Sequence, residues 1–179
     1  MLKIKVTIVG TAPLLGNRFP DEEHPEKPPT GTKGTMYNDD DEAKKRLYLN
    51  GNIICQPANH IEASMIKSAA QFKFGGHGKA TYKDAFKGGI FINPILIPHK
   101  FPKYEKDRQP VVIGGRSRIM RVRPRFDKWE LSFEIEVIDD RISPEVVKEV
   151  LNFAGLYKGL GDMRPRFGRF KVVKFEVVK

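Results

Sequence analysis

The chain has 179 residues, of which 40% are hydrophobic and 30% charged, and its formal net charge is +10 with a pI near 9.7. The length and the two fractions are typical of one globular domain with a hydrophobic core, and we expect a single domain over residues 1–179, whereas the net charge and pI are unusually high. The positive charge favours a polyanionic partner, either nucleic acid or an anionic membrane surface. No apolar run approaches the roughly 20 residues of a membrane-spanning helix, so we expect no membrane partner.

Residue types that build redox or metal sites are scarce. The one cysteine, Cys55, excludes an intramolecular disulfide and a multi-cysteine zinc site. No histidine pair has metal-ligand spacing, and there is neither a phosphate-loop motif nor a dinucleotide fingerprint, so we predict no metal and no cofactor. The N-terminus lacks the apolar block of a signal peptide, and we expect the protein to be cytoplasmic.

The first predicted element is a half-buried strand. Apolar residues at positions 2, 4, 6 and 8 alternate with polar residues, which is the period of a strand with one covered face. The polar segment that follows, residues 16–51, is too long for an ordinary connection, and we predict that it is a mobile insertion. Its acidic run at 39–42 is assigned to a flexible charged loop.

A first helix is predicted to begin near Asn59. Asn59 and Glu62 have the spacing of a capping box. The glycines at 75–78 are expected to end this helix, and an apolar segment at 89–97 then predicts a strand. The buried face of the helix is formed by residues at helical spacing, namely Ile61, Met65, Ala69 and Phe72.

Two later segments have strand character. Residues 111–122 and 129–138 predict an antiparallel pair, joined by the tetrapeptide Arg-Pro-Arg-Phe at 123–126. In the second segment, aromatic and aliphatic residues at odd positions alternate with serine and glutamates at even positions. This alternation predicts a sheet with one covered face and one wet face.

A second helix and a final strand complete the pattern. Ser143 followed by Pro144 opens the helix, Gly155 is expected to close it, and residues 170–178 form the strand. The order strand, helix, strand, strand, helix, strand predicts the α+β ferredoxin-like βαββαβ fold. We expect it with a long insertion after the first strand and an extra strand or hairpin before the central pair.

Arginines are concentrated in two short segments that share the tetrapeptide Arg-Pro-Arg-Phe, at 123–126 and 164–167. With three arginines just upstream of the first copy, these segments hold eight of the chain's twelve arginines. Guanidinium groups suit phosphate oxygens, and the interleaved phenylalanines suit stacking on unpaired bases. The pattern predicts a surface for single-stranded nucleic acid, although a basic chain can also serve solubility or thermal tolerance.

Two motifs carry a family resemblance. The glycine-rich loop at 159–170 resembles the loop of the RAMP superfamily, the repeat-associated RNA-binding proteins of CRISPR systems. The segment at 54–69, ICQPANHIEASMIKSA, resembles the turn and helix start of RAMP backbone subunits. The resemblance implies a ferredoxin-like fold, single-stranded RNA as ligand, and other subunits or self-association as partners. Single-stranded DNA stays open, because stacking and phosphate contacts do not report the 2′-hydroxyl.

We expect the nucleic-acid surface to use side chains and main chain. Arginines bind phosphates, glycine N–H groups supplement them, and the two phenylalanines either stack on bases or anchor their loops to the core. The glycines equally fit a turn that returns the second helix to the sheet. The candidate residues are Arg116, Arg118, Arg121, Arg123, Arg125, Phe126, Gly159, Gly161, Arg164, Arg166, Phe167, Gly168 and Arg169.

The leading hypothesis is a non-catalytic RNA-binding subunit of a CRISPR-type ribonucleoprotein, and two alternatives stay open. Some RAMP relatives are metal-independent endoribonucleases, which need a general base near the 2′-hydroxyl and a cation near the scissile phosphate. His60 and His77 are the candidate catalytic residues, because histidine suits acid–base work near neutral pH. The other alternative is a structural or assembly protein of a mobile element, whose basic loops bind an acidic protein.

Overall fold

The computed structural model describes residues 1–19, 39–75, 78–113 and 117–178, with only the backbone described at 113 and 117–119. The helices are α1 (Asp39–Lys45), α2 (Ala58–Ala69), α3 (Lys83–Gly89) and α4 (Pro144–Phe153), which continues into a π-helical turn, Ala154–Lys158. The strands are β1 (Leu2–Gly10), β2 (Leu14–Leu15), β3 (Leu49–Asn50), β4 (Ile53–Pro57), β5 (Ile90–Asn93), β6 (Leu96–Pro98), β7 (Glu105–Ile113), β8 (Ser117–Phe126), β9 (Glu130–Val137) and β10 (Phe170–Val178).

The core of the fold is a four-stranded antiparallel sheet in the order β10-β1-β9-β5. Helices α2 and α4 contact each other and contribute their apolar residues to the same hydrophobic cluster as the sheet. Taken along the chain, β1, α2, β5, β9, α4 and β10 form the βαββαβ unit. The predicted α+β ferredoxin-like fold is therefore confirmed. None of the helices in the described ranges is long and apolar enough to cross a membrane.

Strand β9 has the predicted alternation. Leu131 and Ile135 are completely buried, while Glu134 and Glu136 lie on the opposite face within ion-pair distance of Lys3. The residues before β9 close one end of the core, where Trp129 is buried and its indole N–H donates to the carbonyl oxygen of residue 12 at 2.9 Å. The apolar face of this strand thus lies under the two helices.

The predicted pairing of 111–122 with 129–138 is wrong. Strand β8 pairs along its whole length with β7 and, near its end, with β2, whereas β9 pairs with β1 and β5. The first Arg-Pro-Arg-Phe is therefore the end of a strand and not a connecting loop. The physical reason is that β9 has a continuous apolar face that the helices must cover, while β8 carries arginines that pair with the polar β7 hairpin strand outside the core. An additional hairpin is therefore present, but β7–β8 lies between β5 and β9, within the central pair of the unit and not before it as expected.

The acidic run at 39–42 is helical, not part of a flexible loop. It forms the first turn of α1, and Lys44 and Lys45 occupy the last turn. Acidic residues at the N-terminal end and basic residues at the C-terminal end both complement the helix dipole. The remainder of the predicted insertion, residues 20–38, lies outside the described residues.

The helix boundaries differ from the predicted ones in three places. Pro57 is the N-cap of α2 without a side-chain hydrogen bond, so the capping box is wrong, and the Glu62 carboxylate instead accepts the Ile92 N–H at 2.9 Å. The helix ends at Ala69, before the glycines. Helix α4 has the predicted Ser143 cap, but it continues past position 155 into the π-helical turn. The segment predicted as one strand at 89–97 is divided between β5 and β6.

A buried histidine joins the hairpin to the core. The imidazole of His99 is 7% exposed and stacks on the ring of Phe126, with centroids 4.6 Å apart and an interplanar angle of 27°. Its Nδ1 has no hydrogen-bond partner among the described residues. Burial lowers the pKa of His99 to about 4, so the ring is neutral in the folded protein at neutral pH.

This burial predicts a pH-dependent stability. Above pH 6.5 both the folded and the unfolded chain hold His99 neutral, and between pH 6.5 and 4 only the unfolded chain binds the proton. Stability therefore falls as the pH falls through this window, by about 3 kcal/mol at pH 4 for this group. Urea unfolding of wild type and of His99→Leu at pH 7 and pH 4 measures how much unfolding free energy each protein loses between the two pH values. The contribution of His99 is the loss in wild type minus the loss in His99→Leu. Equal losses would contradict it.

Candidate functional site

The glycine-rich loop is held by backbone hydrogen bonds to itself and to the segment after β1. Within the loop, the Leu160 N–H donates to the Gly168 carbonyl at 2.9 Å. Towards the other segment, the Gly168 N–H donates to Pro13 at 2.7 Å and the Asp162 N–H donates to Leu15 at 3.0 Å. These bonds fix the loop against the residues around β2, so its exposed side chains project from an anchored base.

The loop glycines serve close packing. A Cβ at Gly168 would overlap the carbonyl of Leu160, and one at Gly161 would overlap the carbonyl of Leu15, and both glycines have φ above +70°. The N–H groups of Gly159 and Gly168 already donate to protein carbonyls. Two of the predicted glycine donors to phosphate are therefore already occupied by protein carbonyls.

The arginines of the second tetrapeptide are exposed. Arg164, Arg166 and Arg169 all lie on the surface, and among the described residues none of them forms an ion pair. Phe167 between them is half-buried. Three exposed guanidinium groups within six residues of the chain, without carboxylate partners among the described residues, are available to bind an anion.

The arginines at the end of β8, in contrast, lie beside carboxylates. Arg121 lies 3.5 Å from Glu42, Arg123 lies 2.7 Å from Asp162, and Arg125 lies 2.8 Å from Asp127, measured between nitrogen and oxygen. The hydrogen bond to Asp127 raises the pKa of Arg125. Because each cation faces a carboxylate, β8 offers less free positive charge than its sequence predicts. Arg116 and the side chain of Arg118 lie outside the described residues.

Helix α1 extends this neutralisation along the hairpin. Asp40 lies 2.9 Å from the ammonium of Lys106, and Asp39 lies 3.9 Å from the guanidinium of Arg108. Together with the contact between Glu42 and Arg121, these pairs place the acidic first turn of α1 against β7 and β8. The hairpin and the helix thus form a mixed surface with compensated charge.

Phe126 belongs to the core. It is 3% exposed and lies between His99 and Tyr104, so its assignment to base stacking is replaced by the anchoring role that the sequence also allowed. On the open face of the main sheet, Lys3 is paired with both Glu134 and Glu136.

A polar pocket of about 180 Å³ opens beside the glycine-rich loop. It forms where four segments meet: the residues at the end of β2 and just after it, the connection between α1 and β3, the passage from β4 into α2, and the loop itself. The side chain of Asn17 donates to the Asp162 carboxylate at 2.9 Å and accepts from Arg46 at 2.7 Å. The first of these bonds connects two residues that line the pocket. The residues that line it are Leu15, Gly16, Asn17, Tyr48, Gln56, His60, Gly161 and Asp162.

His60, a predicted catalytic candidate, lies in this pocket. Its Nδ1 is 2.7 Å from Nε2 of Gln56, and its ring meets the Tyr48 ring edge-on, with centroids 5.2 Å apart at 87°. Burial, with a contribution from the positive charge of Arg164, lowers the pKa of His60, so the ring is neutral at pH 7. His77 lies outside the described residues.

Several pocket residues were not found by sequence reasoning. Gln56 belongs to the segment that resembles the RAMP helix start, and Asp162 belongs to the glycine-rich loop, so both had a motif nearby. Asn17 and Tyr48 lie in the polar stretch that the sequence analysis treated as an insertion, where no local pattern marks them. No group of three or more histidine, cysteine, aspartate or glutamate side chains in the described residues is arranged to hold a metal ion.

Comparison with known proteins supports the fold. No family model matches the chain, and no curated protein matches it. A chain in the cryo-EM structure of a type III-B Cmr-beta bound to cognate target RNA has a similar fold, with a TM-score of 0.59 at 13% sequence identity. The match covers 99% of this chain and 61% of that chain, so this protein spans less than two thirds of that chain's length. At this identity the likeness shows the shared fold alone.

The packing role of the glycines predicts a large effect of one methyl group. Gly168→Ala is expected to destabilise the protein by at least roughly 1–3 kcal/mol, because alanine at positive φ is strained and its Cβ overlaps a carbonyl. Gly88→Ala in α3 is the matched control, since nothing lies within 4 Å of a Cβ there. Chemical denaturation measures both variants, and equal unfolding free energies would contradict the packing role.

Proposed function

We propose that this protein binds single-stranded RNA through the exposed arginines of the glycine-rich loop, as a non-catalytic subunit of a CRISPR-type ribonucleoprotein. The observation that carries the proposal is the state of Arg164, Arg166 and Arg169, which are exposed and without carboxylate partners in the described residues. The loop that carries them also lines, through Gly161 and Asp162, a pocket with aromatic and amide side chains. Phosphate binding beside a place for bases is the arrangement that single-stranded nucleic acid requires.

The distribution of charge supports the loop over other surfaces. The hairpin arginines face Glu42, Asp162 and Asp127, and the open sheet face carries glutamates paired with lysine. Arg164, Arg166 and Arg169 are, by contrast, a group of exposed arginines without a carboxylate partner in the described residues. A polyanion gains most at such a site, because neutralising phosphates there requires no internal ion pair to be broken.

The subunit role rests on an analogy of fold. The similar chain belongs to a structure of type III-B Cmr-beta bound to cognate target RNA, and the RAMP resemblance of the loop and of the α2 start points to the same class of assembly. A shared fold does not by itself carry function, so the direct support for RNA is the site itself.

Loss of the three loop charges is expected to weaken RNA binding and reduce its salt dependence. For Arg164→Gln, Arg166→Gln and Arg169→Gln together, the slope of log K against log salt is expected to fall in magnitude by about 2, since each phosphate contact on a single strand contributes about 0.7. Fluorescence anisotropy with labelled single-stranded RNA, single-stranded DNA and duplex across a salt series measures this.

A matched control separates the site from net charge. Lys79→Gln, Lys83→Gln and Lys87→Gln together remove the same charge at and just before α3, and these lysines are exposed. Equal losses in the two triple variants would show that binding follows net charge and not the loop. No binding of wild type at low salt would favour a protein interface, and equal binding of DNA and RNA would show that the 2′-hydroxyl is not recognised.

A second candidate function is metal-independent RNA cleavage, which the neutral His60 beside Arg164 favours. An opposing observation is the contact with Gln56, whose amide nitrogen donates to Nδ1, so that Nε2 carries the proton and acts as a donor. We therefore expect RNA incubated with the protein in chelator to stay intact on a denaturing gel. Cleavage that disappears in His60→Asn but persists in the lysine control would instead establish the enzyme.

A further inference from the structure

Two aromatic rings form a corner inside the pocket. Tyr48 and His60 meet at 87° with centroids 5.2 Å apart, and both line the cavity. A flat group that enters can stack on one ring while its edge meets the other. The neutral state of His60 suits an uncharged aromatic guest, because a neutral imidazole offers no charge that would favour an anion in its place.

The size of the pocket restricts its guest. A volume of about 180 Å³ is below the roughly 300 Å³ of sites that enclose a whole drug-sized ligand. A complete nucleotide therefore does not fit, whereas a single planar ring system does. The sugar and phosphate of such a guest would stay outside, at the mouth of the pocket.

The polar wall of the pocket is held in place before any ligand arrives. Asn17 bridges Asp162 and Arg46, and the Asp162 carboxylate also accepts the N–H of Met163 at 3.0 Å and faces Arg123. The amide of Gln56 is 4% exposed and held by His60. Walls fixed by such a network lose little conformational entropy when a ligand binds.

Positive charge lies close to the same cavity. Arg164 lies two residues after Asp162, which lines the cavity, and its positive charge adds to the effect of burial in lowering the pKa of His60. Burial raises the pKa of Tyr48, and the positive charge of Arg18 opposes this rise. An exposed guanidinium beside a base-sized aromatic cavity has the chemistry to hold a phosphate attached to the guest.

We propose that the pocket binds one unstacked nucleobase of the RNA strand, with Tyr48 as the stacking surface and Arg164 on the adjoining phosphate. This inference rests on the proposed function and adds to it a defined position for one base. Base–aromatic stacking is tolerant of sequence, so the pocket fixes the path of the strand without requiring one particular base.

Pairing a protein change with a ligand change tests the proposal. Tyr48→Leu removes the aromatic face but keeps apolar bulk, and the ligands are a short RNA and a strand of the same length made entirely of abasic ribonucleotides. We expect Tyr48→Leu to weaken binding of the normal strand by roughly 5- to 150-fold and to leave binding of the abasic strand unchanged. Arg164→Gln is expected to weaken both strands by similar factors.

Tyr157→Leu is the matched control, because Tyr157 is an exposed tyrosine outside the pocket. Equal weakening of both strands by Tyr48→Leu, or no weakening of either, would overturn the base pocket while the RNA-binding function stands. Absence of RNA binding by wild type would overturn both. If Tyr48→Leu does not fold, nuclear Overhauser contacts between the Tyr48 or His60 ring protons and base protons in the wild-type complex decide: their presence supports the pocket and their absence overturns it.

Discussion

The site depends on a close contact between two backbones. The glycine-rich loop lies directly on the segment after β1, where the Gly168 N–H reaches Pro13 and the Asp162 N–H reaches Leu15. The approach is possible only because Gly161 and Gly168 lack a Cβ and adopt positive φ. This contact brings Asp162 to Asn17 and so closes the pocket, and it holds the base of the segment that carries the exposed arginines. Without it, the aromatic, amide and cationic groups would lie on separate segments of the chain.

The positive charge that this protein offers to a ligand depends more on which arginines lack a carboxylate partner than on how many arginines a segment contains. Arginines are denser in β8 than in the glycine-rich loop, but Arg121, Arg123 and Arg125 of β8 face carboxylates from α1, from the loop and from the residue after the strand. An internal ion pair at the surface adds little stability and reduces the charge available to a ligand. The acidic first turn of α1 thereby makes the β7–β8 hairpin a poorer anion site than its sequence suggests. The exposed arginines without an ion pair among the described residues, Arg164, Arg166 and Arg169, lie in the glycine-rich loop.

The passage from β4 into α2 supplies both core residues and pocket residues. In the α2 start, Ile61 and Met65 bury the helix against the sheet, while Gln56 and His60, a few residues away, face the cavity. Desolvation at this position keeps His60 neutral, and its contact with Gln56 holds the ring edge-on to Tyr48. The same packing that stabilises the fold therefore sets the protonation and the orientation of the site.

The sequence alone determined the elements with strong local periodicity: β1, the alternation of β9, the Ser143 cap of α4, and β10, and from their order the ferredoxin-like fold. It also marked the glycine-rich loop and the α2 start, because glycine and proline constrain the backbone locally. Only the tertiary structure decided which strand pairs with β8, that Phe126 is buried, and which arginines are neutralised, since these depend on contacts between residues distant in the chain. The pocket is of the same kind: Asn17, Tyr48 and Asp162 carry no shared local signal, and only folding brings their side chains together.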